Sequence, residues 1–197
     1  VWPELNVNVV STTEQWAGAA IAGPKSRDML SKLYPDLDVS NDALPFMGYK
    51  EADFFGVPSR IFRISFSGEL AYEINVKSDH GMFMWEKMME VGKEFGNQPY
   101  GTEALSTLRI EMGHVAGPEL DGRTIPSDVS LNGLVSKKKD FIGKNSLGRE
   151  AFNVESRQKI VGLIPIDRKS SIPEGSHIVQ DQNAKLPNPK LGHVSSS

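Results

Sequence analysis

The chain has 197 residues, 39% hydrophobic and 24% charged, with a formal charge of -3 and no cysteine. That length can bury a substantial core in one or two domains, and the composition is that of a globular chain rather than a disordered one. A slightly acidic balance disfavours nucleic-acid binding, which needs concentrated Lys and Arg; the lack of cysteine excludes disulfides, thiolate metal sites and a cysteine nucleophile, and is compatible with a reducing, cytoplasmic setting.

No apolar run reaches the roughly 18 residues of a membrane span. The chain opens VWPELNVNVV with no initiator Met and closes LGHVSSS like a strand cut short. Both ends suggest a piece of a longer polypeptide, with an unpaired sheet edge where further strands would belong.

In chain order, alternation predicts a strand over Leu5–Ser11 and a second, Ala-rich strand over Gln15–Gly23. Gly23-Pro24 then opens a helix, with Pro24 at its first position, Met29, Leu30 and Leu33 on one face and Pro35 as its stop. Lys50–Phe66 reads as two β runs divided at Gly56-Val57-Pro58, a hairpin, and the following RISFSGELAYEINV, Arg63–Val76, resumes the alternation after Ser67-Gly68-Glu69. Ser78 or Asp79 caps a helix whose apolar stripe is Met82, Trp85, Met88, Met89 and Phe95, ended by Gly96; at helical spacing such a stripe is core packing rather than a cofactor box. A further helix starts at Thr102, turns Leu105, Leu108 and Met112 to one side and ends near Gly113. A Gly/Pro-punctuated connection spans His114–Asp128, and the basic cluster KKKD, Lys137–Asp140, reads as a solvated loop. Beyond it KIVGLIPID, GSHIVQ and GHVSSS are short β runs, a second, all-β unit beginning near Arg157. Strands interleaved with three or four helices, with hairpins present, predict an α+β fold with antiparallel pairing.

Nucleotide-binding glycine loops, a serine-hydrolase elbow and metal-ligand spacing among His80, His114, His177 and His193 are all missing from the sequence. What remains is a carboxylate in a patterned strand. Leu70, Tyr72, Ile74 and Val76 share one face, and Ala71, Glu73 and Asn75 the other. Periodicity leaves two readings open for Glu73: a solvated residue on a half-buried sheet, or a ligand in a polar pocket.

The motifs AIAGPKSRDML, FSGELAYEI, YGTEALSTLRIEMGHVAGPELDG, TIPSD and KKDFIGK resemble, in order and approximate spacing, those of the folate-dependent aminomethyltransferase (glycine cleavage T-protein) superfamily. The resemblance covers about residues 9–194. Within it, YGTEALSTLRIEMGHVAGPEL followed by KKKDFIGK looks most like the C-terminal folate domain of heterotetrameric sarcosine oxidase alpha subunits.

The resemblance implies a mixed or antiparallel sheet layered with helices over residues 1–136, a connecting segment over 137–156, and a truncated C-terminal β-barrel over 157–197. It implies a tetrahydrofolate-binding domain that captures the methyl-derived carbon of sarcosine as 5,10-methylenetetrahydrofolate, leaving glycine and hydrogen peroxide. FAD, FMN and NAD would be bound outside this chain, and the beta, gamma and delta subunits would be its partners, with no nucleic acid or membrane involved.

By the same resemblance Glu73 falls on the glutamate that recognises the pterin, whose adjacent N–H donors one carboxylate can accept together. Phe66 takes the place of a family Tyr that can pack on the pterin, and Tyr72 completes the folate-binding set, although its parity favours core packing. Leu105 replaces a folate-binding arginine, and Arg109 and Glu111 match a signature whose helix position favours a structural ion pair or cap-like contacts over direct chemistry. The family's catalytic aspartate would lie upstream of Val1, so no catalytic residue and no metal ligand is expected in this chain, and the piece alone is not expected to turn over. The competing readings are lipoyl-dependent aminomethyl transfer and a non-catalytic, folate-fold assembly module.

Overall fold

The computed structural model describes residues 4–197, which divide into two compact units, the first running to Leu108 and the second Arg109–Ser197.

The first unit is built on a four-stranded, wholly antiparallel sheet of β1 (Trp16–Ala22), β2 (Tyr49–Phe54), β3 (Val57–Phe62) and β4 (Ala71–Lys77), in the order β1-β4-β3-β2. Two helices, α1 (Ser26–Leu33) and α2 (Gly81–Gly92), cover one face. Alternation decides which residues they cover. Tyr72, Ile74 and Val76 of β4 and Ile61 of β3 are wholly shielded, packed with Met29, Leu30 and Leu33 of α1 and Met84 and Met88 of α2. The antiparallel α+β architecture expected from the sequence is the one observed.

Local chemistry sets the connections. β2 and β3 meet in the two-residue turn Phe55-Gly56, with φ of 53° and 90°, the left-handed pair that matches the twist of a tight hairpin. The turn thus precedes the expected Gly56-Val57-Pro58. Val57 and Pro58 are already in β3, where Pro58 faces Asp53 of β2 and lies before the ladder to β4 begins at Ser59. Gly23, at φ 123°, makes the turn into α1, which starts at Ser26 rather than at Pro24. The Ser26 hydroxyl donates to the Leu70 carbonyl at 2.8 Å, tying the helix start to the chain just before β4.

Two other expectations change in this unit. Leu5–Ser11 forms no strand: the Val7 N–H donates back to the Leu5 carbonyl, and Val9 and Val10 are exposed, because alternation alone makes no strand without a ladder partner. The buried stripe of α2 is Met84 and Met88, joined by Phe83, Val91 and Phe95, while Met82 and Trp85 are exposed. A 3₁₀ turn at Ser78–His80, not a side-chain cap, leads into the helix.

Helix α3 (Thr102–Glu111) ends on Gly113 in the left-handed conformation, with the Gly113 N–H bonded to Ile110 and the His114 N–H to Arg109, a paired closure of the last carbonyls. Leu105 and Leu108 are half-buried, and Met112 is exposed.

The second unit has little regular structure: 3₁₀ turns, the single-turn helix α4 (Lys144–Leu147), and an antiparallel ribbon of β5 (His177–Val179) and β6 (Lys190–His193). GSHIVQ and LGHVSSS supply the ribbon. KIVGLIPID supplies no strand; Val161, Leu163, Ile164 and Ile166 are exposed, the Ile160 N–H donates to the Asp128 carbonyl at 2.7 Å, and the Pro165 carbonyl only closes a local turn with the Arg168 N–H at 2.9 Å. Among the described residues no helix is long and apolar enough to cross a membrane.

Candidate functional site

The sheet face opposite α1 and α2 is the open one. Strand pairing lines up Ala20, Glu73 and Phe62 in one row, and Gly18, Asn75, Arg60 and Glu51 in the next. Trp16 and Lys77 pair one row further on. All point away from the core, because their neighbours Ala19, Ile74 and Ile61 point into it.

Glu73 stands on an inner strand, half-buried, with Ala20 to one side and Phe62 to the other. Among the described residues it has no hydrogen-bond or ion-pair partner. Ala20 leaves space beside the carboxylate, whereas Phe62, its ring 5.0 Å from that of Tyr49, makes an aromatic wall. A half-buried carboxylate without a protein donor has acceptor capacity to spare, and fits a ligand that brings its own N–H groups.

Phe66 lies in the segment joining β3 to β4, which starts where Phe62 and Glu73 pair, and its side chain is partly exposed. Ser67-Gly68 makes the turn there, with Gly68 at φ 84°. Tyr72 is not brought to the same place. Its ring is wholly shielded on the core face, with the Arg27 guanidinium 5.9 Å from its centre. Its hydroxyl finds no hydrogen-bond partner among the described residues, and burial pushes its pKa above the usual phenol value despite the nearby cations of Arg27 and Arg63. Glu73 therefore faces the open side at the end of the β3–β4 pair, Phe66 lies partly exposed in the segment that follows β3, and Tyr72 supports the strand from behind.

Arg60 was not singled out by the sequence pattern. Its guanidinium lies 3.8 Å from the centre of the Trp16 ring, and its carboxylate neighbour Glu51 is 3.8 Å away and mostly exposed. The Tyr49 hydroxyl donates to that same Glu51. Only the strand register reveals that Arg60 shares the face of Glu73.

The second unit treats its carboxylates differently. Arg109 is buried and donates to Glu119 at 2.9 Å and to the His114 carbonyl at 3.2 Å. Glu119 also accepts from the Ala116 N–H at 2.7 Å and engages Ser196. Burial pushes the Glu119 carboxyl up, but the hydrogen bonds from Ser196, Ala116 and Ser195 and the Arg109 charge outweigh it and leave its pKa lowered. The expected structural role of Arg109 thus has Glu119 as its partner, not the exposed Glu111. A second clasp joins Asp128 to Arg157, Lys159 and the Ile125 N–H; led by the Arg157 hydrogen bond, these donors hold the Asp128 carboxyl at about 2.

Residues 2–139 match the model of the GCVT N-terminal domain. The chain is 44% identical, over its whole length, to "Sarcosine oxidase subunit alpha" of Corynebacterium sp. (strain P-1), and 44% identical to the protein of the same name from Rhizobium meliloti. It spans only 21% and 20% of those relatives. It is also 32% identical, over 91% of its length, to an "Aminomethyltransferase" of Chloroherpeton thalassium, of which it spans 48%.

Proposed function

The chain belongs to the GCVT N-terminal domain family, and on that premise we propose that the open face of its first unit receives the pterin end of tetrahydrofolate in a one-carbon transfer. The observation that carries this reading is the Glu73 carboxylate, half-buried and without a protein donor among the described residues. A 2-amino-4-oxopterin offers adjacent N–H groups from its exocyclic amine and its ring, and one ionised carboxylate accepts both in a charge-assisted pair. Phe66 packs on the pterin ring and Phe62 flanks the carboxylate. Tyr72 acts from the core side, holding the strand that presents Glu73.

In this reading the reaction served is the oxidative demethylation of sarcosine to glycine, supported by the likeness to proteins named sarcosine oxidase subunit alpha. The two-electron oxidation of the N-methyl amine is flavin chemistry and belongs outside this chain. The resulting iminium carbon is bonded by N5 and N10 of tetrahydrofolate, and the C–N bond to glycine breaks, giving 5,10-methylenetetrahydrofolate and glycine. The part played by these residues is to bind and orient the folate. In this reading residues 1–136 form the folate domain, 137–156 connect it, and 157–197, with the β5–β6 ribbon, begin a C-terminal barrel. The beta, gamma and delta subunits of such an oxidase are the partners, and the cytoplasm is the setting. The likeness to an aminomethyltransferase supports a second reading, transfer from a lipoyl carrier; a pull-down with a lipoylated carrier protein separates the two, because the oxidase reaction needs none.

Calorimetric titration of tetrahydrofolate tests the reading. Glu73→Gln keeps the shape but removes the charge, and is expected to weaken binding by at least about tenfold, the scale of a lost hydrogen bond to a charged group, with the thermal midpoint unchanged. Equal affinity in the variant would falsify it.

A further inference from the structure

We propose that Trp16 and Arg60, with Lys77 beside them, form the subsite for the carboxylate-bearing tail of the ligand whose pterin end Glu73 receives. This rests on the folate reading above. The open face is electrically polarised along β4: the carboxylate of Glu73 lies in one row, the Arg60 guanidinium in the next, and the Lys77 ammonium in the row beyond. At a strand rise of about 3.4 Å per residue the Arg60 row lies about 7 Å from Glu73, and the Trp16–Lys77 row about 14 Å. Tetrahydrofolate has the complementary polarity, with N–H donors at the pterin end, a benzoyl ring between, and glutamate carboxylates at the far end.

The ground between the two ends suits a flat ring. Gly18 and Ala20 give β1 almost no side chain there, and a Cβ on Gly18 would stand 2.9 Å from the Asn75 Oδ1, so Gly18 is what lets the Asn75 amide approach β1. Arg60 is held over the Trp16 ring, its guanidinium carbon 3.8 Å from the ring centre, and a guanidinium held on an aromatic face still has N–H donors to offer a carboxylate. Its protein counterion is a weak competitor. Glu51 is 3.8 Å away, mostly exposed, and already accepts from Tyr49. The other acid on this face, Asp53, is engaged by the Gly56 N–H at 2.6 Å.

The test titrates tetrahydrofolate and 6-methyltetrahydropterin, which has the same ring but no benzoylglutamate, into the full chain and into Arg60→Gln and Trp16→Leu. Tetrahydrofolate should bind the parent chain more tightly than the methylpterin, and added salt should erode only that advantage. Arg60→Gln should weaken tetrahydrofolate about tenfold and leave methylpterin unchanged, and Trp16→Leu should act in the same direction by releasing the guanidinium. Unchanged folate affinity in Arg60→Gln, or equal weakening of both ligands, overturns the subsite. If methylpterin binds the parent chain and loses affinity in Glu73→Gln while Arg60→Gln is silent, only the subsite falls; if neither ligand binds the parent chain, the folate reading itself falls.

Discussion

The two units use the same chemical group in opposite ways. In the second, Glu119 and Asp128 are wrapped in donors, one by Arg109, Ser196 and the Ala116 N–H, the other by Arg157, Lys159 and the Ile125 N–H. In the first, Glu73 stands half-buried with none. A saturated carboxylate contributes to holding its own segment in place and has little left for a ligand; an unsatisfied one contributes little to folding and keeps its acceptor sites for a visitor. The contrast separates the structural acids from the one proposed for recognition without any appeal to position in a motif.

The hardest test of that contrast is at Glu119. Glu119→Gln leaves the Arg109 guanidinium buried without its counter-charge, and removing one partner of a buried pair costs about 3–5 kcal/mol. Chemical denaturation should show a lower midpoint of that order, whereas Glu73→Gln should leave the midpoint in place. Comparable losses in the two variants would break the distinction between them.

Acid titration sharpens it further. The Asp128 carboxyl is held at about 2 in the fold against an ordinary value of 3.8. Its contribution to stability is therefore complete above about pH 4 and is lost as pH falls through the folded value near 2. Unfolding followed by circular dichroism should show stability declining across that window. Asp128→Asn should lower stability at pH 7 and flatten the decline, because the variant has already lost the interaction with Arg157. A parent chain indifferent to pH between 4 and 2 would mean that the clasp contributes nothing.

How far the sequence foretells this arrangement depends on whether a feature is local. Alternation in RISFSGELAYEINV places Tyr72, Ile74 and Val76 in the core and Glu73 on the other face, and the five motifs point to the family that residues 2–139 match. The strand at Gln15–Gly23 and the helix at Thr102 are legible for the same reason, since their signals lie within a dozen residues. Leu5–Ser11 and KIVGLIPID read as strands because their residues suit a pleated surface, but a strand also needs a neighbour, which no local pattern supplies. On α2 the periodicity puts Met82 and Trp85 in one stripe with Met88, and only packing against the sheet shows that Met84 joins Met88 in the core while Met82 and Trp85 stay exposed. The pairings of Arg60 with Trp16 and of Arg109 with Glu119 depend on register and on a chain reversal, so they emerge only from the fold.

The smallest effect is expected at Tyr72, where the contrast can be tested from behind the site. Its ring fills the core beneath β4, but its hydroxyl is buried without a hydrogen-bond partner among the described residues. Such a group loses its water on folding and gains nothing in exchange, so Tyr72→Phe should be neutral or stabilising, by at most about 1–2 kcal/mol. Tyr72→Ala, which empties the same volume, should cost about 3–5 kcal/mol. If Tyr72 supports Glu73 only through packing, the Phe variant should bind tetrahydrofolate as the parent does. A Phe variant with intact stability but weakened binding would mean that the hydroxyl takes part in the site when the ligand is present, and Tyr72 would then belong with Glu73 rather than with the core.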